Sequence, residues 1–310
     1  MSIVEKVGTA ALDLAQNGDV LDKSSDILGM LFPYAGLKKK ALDMYISDVE
    51  KSDMSSESKL IAVLNAKDTI KKLKNQKNIA EIAVDTSRDG TDFTEKSGVN
   101  REWLERFMDS AGYVSDETVQ LMWGKILGKE FEEPGSTPLN MMRILSEITP
   151  VYAQAFKKIC NMQILLIGLD ETDTIVNVRR AVLVPYIDYK EIINAIGLTF
   201  DIINELETLG LIKLAPLTGY AVSNIRAKHV LLYVDGEIQE VGSHHNNVIP
   251  TGNVILTSAG RCLYNITPME KIVGYSEWIK KYMEDQQVKL KKNSDYKVSI
   301  DGDTISCEKI

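Results

Sequence analysis

Residues 115–128 read Ser-Asp-Glu-Thr-Val-Gln-Leu-Met-Trp-Gly-Lys-Ile-Leu-Gly, the most regular stretch of the chain. Ser115 can cap a helix, and Asp116 and Glu117 suit the positive end of the helix dipole. The apolar residues that follow recur at i, i+3, i+4, i+7 and i+8 and form one stripe: Val119, Met122, Trp123, Ile126 and Leu127. The pattern predicts an amphipathic helix with Trp123 in a core.

The sequence on both sides of this stretch also has helical signals. Asn100 can cap a preceding helix, and threonine-proline pairs at 137–138 and 149–150 mark two later helix starts. We therefore expect a bundle of four short antiparallel helices over residues 100–165. Earlier in the chain, Ser55 can cap a long helix that reaches about Ala83, and the polar residues 85–98 predict a linker.

The second half of the chain has a mixed pattern. Residues 189–212 predict helix, turn, helix, and Gly210 can end the second helix in the left-handed conformation. Strands at 230–234 and 254–257, a hairpin turn at Asp235-Gly236 and a further helix follow, and together these elements describe a winged-helix-like module. A helix from Met269 to about Leu290, with Val273 among its buried residues, and a hairpin around Asp301-Gly302 close the chain. The predicted fold is mainly α: N-terminal helices and a helical bundle, then a winged-helix-like α+β module, then a C-terminal helix plus β-hairpin. The predicted domains are residues 1–95, 96–168, 169–268 and 269–310.

Composition and charge exclude several functional classes. The formal net charge of −8 gives no overall attraction to phosphate backbones or anionic lipid. The three cysteines are far apart and form no C-x-x-C pair, which is typical of a reducing compartment. The N-terminus lacks a signal-peptide pattern, and no window approaches the roughly 20 apolar residues of a membrane-spanning helix. These features predict a cytoplasmic protein.

The segment around Trp123 carries a family resemblance. Its elements are Gln120 and Trp123 in one helix, Glu130 near the end of that helix, and the Pro134-Gly135 turn. This arrangement resembles a bacterial family defined only as a domain of unknown function, distantly similar to the abortive-infection alpha proteins of phage defence. The resemblance covers roughly residues 96–265. It implies a role in defence and no catalytic residues.

No pattern in the sequence identifies an active site. The carboxylates of Glu130, Glu132 and Glu133, with Glu102, Glu105 and Asp109, could bind a divalent metal, but the bundle has no Glu-x-x-His motif. The alternative is that Trp123 anchors a core and the glutamates end a solvated helix. His244-His245 and a Cys262–His229 pair are weaker candidates for a metal site and a nucleophile. We predict no cofactor and no metal.

Two surfaces are candidates for interaction instead. A lysine-rich helix face around residues 67–77 could contact acidic protein or nucleic acid, although such a run is commonly a solvated face. Residues 27–40 combine an apolar stretch with three lysines, as in an interfacial anchor. Pro33 interrupts this stretch, and the alternative is that it is buried against the other N-terminal helices or in a subunit interface. The candidate interaction residues are Leu31, Phe32, Lys38, Lys39, Lys40, Lys71, Lys72 and Lys74. Sequence-specific DNA binding is disfavoured, because the presumptive recognition helix Thr199–Leu209 has three carboxylates and no cation.

Three functional hypotheses remain from the sequence. The first is a non-enzymatic interaction or scaffold protein of a bacterial anti-phage system, which binds another protein or itself. The second is a membrane-directed effector that makes peripheral membrane contact through residues 27–40. The third is a metal-dependent enzyme that uses the bundle carboxylates. The sequence gives no partner identity, oligomeric state or trigger.

Overall fold

The computed structural model describes residues 39–223, 225–242, 248–301 and 304–310. Of these residues, 48% are helical and 21% lie in strands. The fold is therefore α+β, and the prediction of a mainly α protein was wrong in this respect. The chain divides into two compact units, residues 1–150 and 151–310. The four domain boundaries drawn from the sequence stay a prediction.

The described part of the first unit contains five α-helices and a short 3-10 helix (Glu95–Ser97), and two of the α-helices have the caps that the sequence predicts. Ser55 accepts the Ser58 N–H, and Asn100 accepts the Trp103 N–H. In the helix that contains Trp123 the cap is Asp116 rather than Ser115. The helices are α1 (Lys39–Lys51), α2 (Ser56–Thr86), α3 (Arg101–Ala111), α4 (Glu117–Glu132) and α5 (Met141–Glu147).

The core of this unit lies where α2, α3 and α4 meet. The Trp123 side chain is fully buried, its ring centroid lies 4.7 Å from that of Phe107, and its Nε1–H donates to the Leu145 carbonyl at 3.2 Å. The prediction that Trp123 anchors a core is confirmed. The predicted linker is ordered in part, because Phe93 is buried against Phe131 at a ring distance of 5.1 Å.

The second unit contains a five-stranded antiparallel sheet that the sequence interpretation missed. Its strands are β1 (Gln163–Leu169), β2 (Ile175–Val182), β5 (His229–Val234), β6 (Glu237–Val241) and β9 (Leu290–Lys292). Their order across the sheet is β2-β1-β5-β6-β9. The predicted bundle ended at residue 165, but Ile164 and Leu165 belong to β1, and the polar segment 170–177 contains the start of β2. A short continuous apolar run has no period that separates a buried strand from a buried helix.

The two helices predicted within residues 189–212 form, but the hairpin predicted after them has a different role. Gly210 ends the second helix in the left-handed conformation, as predicted. The hairpin at Asp235-Gly236 forms, with positive φ at both residues, but its strands β5 and β6 join the large sheet. The remaining elements are α6 (Pro150–Asn161), α7 (Lys190–Ala195), α8 (Phe200–Leu209), β3 (Ile212–Leu214), β4 (Tyr220–Ser223), β7 (Val248–Gly252), β8 (Val254–Leu256) and α9 (Ser258–Ile266). Strand β3 pairs with β8, and β4 pairs with β7.

The predicted C-terminal hairpin is confirmed. Strands β10 (Tyr296–Asp301) and β11 (Thr304–Lys309) pair in register and contribute Tyr296, Val298 and Ile305 to a hydrophobic cluster with β1, β5 and β6. The preceding helix α10 (Tyr275–Asp285) is shorter than predicted. Val273 lies before this helix and is 95% exposed, so its predicted burial was wrong.

Candidate interaction surface

Helix α2 is much longer than the part of it that the bundle buries. Its 31 residues correspond to about 46 Å. Every buried residue of this helix lies between Asn75 and Ala83. The first half of the helix contacts α1, where Lys59 Nζ donates to the Glu50 carbonyl at 2.7 Å. One half of α2 is thus fixed in a core, while the other half exposes much of its surface.

Buried amide side chains fix the second half of α2. Asn75 Nδ2 donates to the Gly112 carbonyl at 2.8 Å, and Gln76 Nε2 donates to the Met108 carbonyl at 2.7 Å. Gln120 Nε2 donates to the Val114 carbonyl at 2.8 Å and lies 3.4 Å from Asn75 Oδ1. Each bond satisfies a polar group that burial would otherwise penalise. The glutamine of the Gln-x-x-Trp segment is therefore a structural residue.

Two glycines bring α4 close to α2. A Cβ atom on Gly124 would overlap Ile82 and lie 3.0 Å from the Ile79 carbonyl oxygen. A Cβ on Gly128 would overlap the Ser87 hydroxyl and lie 3.0 Å from the Ala83 carbonyl oxygen. The sequence interpretation missed this contact, although the Gly-x-x-x-Gly spacing within residues 124–128 was a readable signal for close helix approach.

The part of α2 before Asn75 carries a stripe of exposed residues. Its members recur at i, i+4, i+7, i+11 and i+14, so they share one face. The apolar members Leu60 and Leu64 are 60% and 55% exposed, and Ile61 beside them is 53% exposed. We call this face the α2 stripe: Leu60, Leu64, Lys67, Lys71 and Lys74.

The lysines of the helix differ in their surroundings. Lys71 and Lys74 are exposed, and within the described chain they and Lys67 have no carboxylate partner. Lys72 instead points toward the α3–α4 turn, where its Nζ lies 4.4 Å from the Tyr113 ring centroid and 3.0 Å from Asp68 Oδ2. Contact with Tyr113 and then Asp68 raises the pKa of Lys72. Of the predicted lysines, Lys71 and Lys74 therefore belong to the stripe, and Lys72 is used within the unit.

The remaining predicted interaction residues lie at the start of the chain. Leu31, Phe32 and Lys38 lie outside the described residues. Lys39 and Lys40 begin α1, and the described side chains start after them. Among the described residues, no helix is both long and apolar enough to cross a membrane.

The bundle carboxylates considered as metal ligands bind groups of the same chain. Glu132 accepts the Arg88 N–H at 2.7 Å, and Lys129 lies 2.7 Å from Glu133 and lowers the pKa of that carboxyl group. Glu130 is 3% exposed, so its predicted position in a solvated helix end was wrong. Across the described ranges, no group of three His, Cys, Asp or Glu side chains could hold a metal ion. His244 and His245 lie outside those ranges.

Glu130 holds the Pro134-Gly135 turn against its helix. Its Oε1 accepts the Gly135 N–H at 2.6 Å, and its Oε2 accepts the Thr137 N–H at 3.0 Å. We expect Glu130→Gln to lower the free energy of unfolding by about 2 kcal/mol, because the amide retains only one acceptor and turns an NH₂ group toward a buried N–H. Urea unfolding followed by circular dichroism measures the effect. The half-exposed Glu133→Gln is the matched control, and equal losses in the two variants would contradict the structural role of Glu130.

A second polar cluster lies in the second unit, at residues that form no recognisable sequence motif. Asp173 accepts hydrogen bonds from the Tyr296 hydroxyl at 2.5 Å and from Lys309 Nζ at 2.8 Å. These two contacts lower the pKa of Asp173, and the Asp173 contact raises the pKa of Tyr296 to about 12. His229 Nδ1 lies 2.8 Å from Glu240 Oε1. The Asp173 bonds connect the terminal hairpin to the β1–β2 turn.

The comparisons with known proteins give one match. The model of a family described as "Protein of unknown function (DUF2806)" matches residues 64–280. No curated protein and no solved structure matches the chain. Most of α2, including four of the five members of the α2 stripe, and the bundle with Trp123 lie within the matched residues. Because the match spans more than half of the chain, the protein belongs to the DUF2806 family.

Proposed function

We propose that the protein is a non-enzymatic interaction protein that binds a partner protein through the α2 stripe. One observation carries the proposal: two exposed leucines and three unpaired lysines share one face of a helix whose other half is fixed in a core. Contiguous exposed apolar side chains on a soluble protein are typical of interaction sites. Because the helix is already formed, a partner that docks on it does not have to order it.

The stripe specifies the chemistry of the partner. Leu60 and Leu64, with Ile61 beside them, require an apolar groove or helix face. Lys67, Lys71 and Lys74 follow along the same face, so the partner surface should become acidic at that end. A helix with an apolar half and an acidic half, or a groove of that composition, meets both requirements.

The biological setting comes from the resemblance to abortive-infection alpha proteins. We propose that the partner is another component of a bacterial anti-phage system. In that setting the protein acts as a scaffold, and its stripe recruits or senses the other component. The membrane-directed alternative depends on residues 27–40, and liposome flotation of the whole chain distinguishes it from protein binding.

A quantitative capture experiment from the native host tests the stripe. We expect the paired change Leu60→Asp and Leu64→Asp to reduce partner capture at least about tenfold, because it places two charges in an apolar contact. Charge reversal of Lys67, Lys71 and Lys74 to Glu should reduce capture of the same partner. Matched controls are Leu139→Asp, at a leucine that is 92% exposed elsewhere in the unit, and Lys96→Glu.

The outcome is read by quantitative mass spectrometry and by plaque counts. Support requires that one protein is captured equally by the wild type and both controls, and is depleted with both stripe variants. Loss of phage protection with the same variants would connect the stripe to defence. Capture that is unchanged by the stripe variants would overturn the proposal, as would flotation with liposomes without protein capture.

A further inference from the structure

Helix α8 exposes one side along its whole length. Its buried residues, Ile203, Leu206 and Leu209, lie on the side that packs into the second unit. The exposed residues recur at i, i+1, i+4, i+5 and i+8, so they share the other side of the helix. We call this side the α8 face: Phe200, Asp201, Asn204, Glu205 and Thr208.

The first turn of the α8 face has an apolar end. Phe200 is 50% exposed, and its ring centroid lies 6.3 Å from that of Tyr186. The next residue in the chain after Tyr186 is Ile187, which is 48% exposed and whose N–H donates to Asn253 Oδ1 at 3.0 Å. Two half-exposed apolar side chains are therefore held next to one tyrosine, and their burial against a partner would be favourable.

The Tyr186 side chain carries an unpaired polar group at this end. The residue is 2% exposed, and among the described residues its hydroxyl has no hydrogen-bond partner. Burial and then the nearby charge of Asp201 raise the pKa of Tyr186, so the hydroxyl remains a donor at neutral pH. A buried hydroxyl without a partner is costly. A hydrogen-bonding group that a partner places beside Phe200 would satisfy it.

The charge around the α8 face has mainly one sign. Residues 186–209 contain five carboxylates and one cation, Lys190. Asp201 and Glu205 are exposed and form no ion pair within the described part of the chain. Glu207 differs from them, because its Oε1 accepts the Leu214 N–H at 2.9 Å within the unit. The face thus offers two carboxylates to a cationic partner.

We propose that the α8 face binds a basic amphipathic helix of a partner protein. The row at i, i+4 and i+8 is about 12 Å long, and such a row packs against the side chains of another helix. An apolar side chain of the partner covers Phe200 and Ile187, and lysines or arginines beside it pair with Asp201 and Glu205. The surface lies in the second unit, and the proposal is independent of the α2 stripe.

Charge argues against two other kinds of partner. In a DNA-binding pair of helices the second helix faces phosphate groups, which the carboxylates of α8 would repel. Anionic lipid would be repelled for the same reason. The α8 face therefore fits a basic protein segment.

Geometry argues against the α2 stripe of a second copy as the occupant. That stripe has the complementary charge, but its apolar and basic parts are separated along about 21 Å of helix. On the α8 face, by contrast, Phe200 and Asp201 are adjacent. A partner helix for this face must carry its apolar and cationic side chains close together.

A labelled peptide tests the charge contact on the full-length protein. The probe is an eighteen-residue helix with leucines along one side and lysines on both flanks, and binding is measured by fluorescence anisotropy. We expect Asp201→Lys combined with Glu205→Lys to weaken binding about tenfold or more, since two attractive pairs become repulsive. Glu171→Lys combined with Glu277→Lys is the matched control, because it changes the net charge equally at two exposed carboxylates and should leave the Kd unchanged.

The apolar contact is tested separately from charge. Phe200→Asp and Ile187→Asp should each weaken binding about tenfold, because each places a charge in the apolar contact. Val273→Asp, at a valine that is 95% exposed before α10, is the matched control. Tyr186→Phe should weaken binding about threefold and leave the thermal melt nearly unchanged, since within the described chain the hydroxyl makes no hydrogen bond to lose.

Carbodiimide coupling gives a readout that needs no variant. The reagent joins a lysine of the bound probe to a carboxylate in direct contact with it, and mass spectrometry identifies the carboxylate. We expect the coupled fragment to contain Asp201 or Glu205.

Each of four results would overturn the proposal. The first is that the basic probe does not bind the wild type, or binds the Asp201 and Glu205 variant as tightly as its control. The second is that a probe with glutamate in place of every lysine binds equally well. The third is that coupling occurs only at carboxylates outside the α8 face. The fourth is that light scattering detects a dimer that both this variant and Leu60→Asp with Leu64→Asp dissociate, which would assign the face to a second copy.

Discussion

Replacing Trp123 by alanine should lower the free energy of unfolding of the first unit by about 3–5 kcal/mol, the range for removal of a large buried aromatic side chain. The indole is fully buried, lies 4.7 Å from the Phe107 ring and donates to the Leu145 carbonyl. The change therefore leaves a cavity and an unsatisfied buried carbonyl oxygen. Urea unfolding followed by far-UV circular dichroism measures the loss.

Trp103 provides the matched control for this prediction. It is half-buried on α3, and its ring stacks on Phe107 at 4.8 Å from the outer side of the same cluster. Trp103→Ala should cost about 1–2 kcal/mol, because much of its surface already contacts water. If the two alanine variants unfold at the same urea concentration, Trp123 is not the centre of the core.

Replacing Gly124 by leucine should be nearly as disruptive as Trp123→Ala, because it overpacks the contact between two helices instead of leaving a cavity. The α2 and α4 backbones are so close that a Cβ at residue 124 overlaps Ile82 and approaches the Ile79 carbonyl oxygen to 3.0 Å. Gly124→Leu should cost about 3 kcal/mol or more, at or above the upper end of the usual range for overpacking, although leucine is a better helix former than glycine. The urea midpoint of the variant gives the result.

A double-mutant cycle tests whether the lost stability comes from the contact between α2 and α4 or from a general effect of the substitution. Gly124→Ala alone should destabilise the protein, and Ile82→Ala in the same chain should recover part of that loss by removing the overlapped side chain. Additive losses would show that the two helices are not in contact at this point. If Gly124→Ala were more stable than the wild type, the close approach of the two helices would be contradicted. The higher helix propensity of alanine would then be the only effect of the substitution.

The candidate surface could be predicted from the sequence only in part. The lysines of α2 were visible as a basic run, whereas the leucines ahead of them counted only as apolar residues of the predicted helix. Tyr113 and Asp68 contact the Lys72 ammonium group within the unit, whereas Lys71 and Lys74 stay exposed. Tyr113 is 41 residues from Lys72 in the chain, so no local pattern relates the two.

The carboxylates of the bundle show the same limit. Glu130, Glu132 and Glu133 lie in one short acidic run, and nothing in the sequence distinguishes the environment of one from that of the others. In the fold, Glu130 is buried as the acceptor for the following turn, whereas Glu133 is half-exposed beside Lys129. A helix rotates each successive side chain by about 100°, so neighbours in sequence reach different environments.

Local sequence signals were sufficient to predict the helices with clear periodicity and caps, the Gly210 stop and the two hairpin turns. These features depend on interactions within a few residues: a capping side chain, a positive φ, or an apolar stripe at a fixed spacing. Contacts between distant segments are needed to explain why residues 163–169 form a strand, why the β5–β6 hairpin joins this strand in a larger sheet, and why β2 is left at the edge. A continuous apolar run is equally compatible with a buried helix and a buried strand. Hydrogen bonds to segments tens of residues away select between the two.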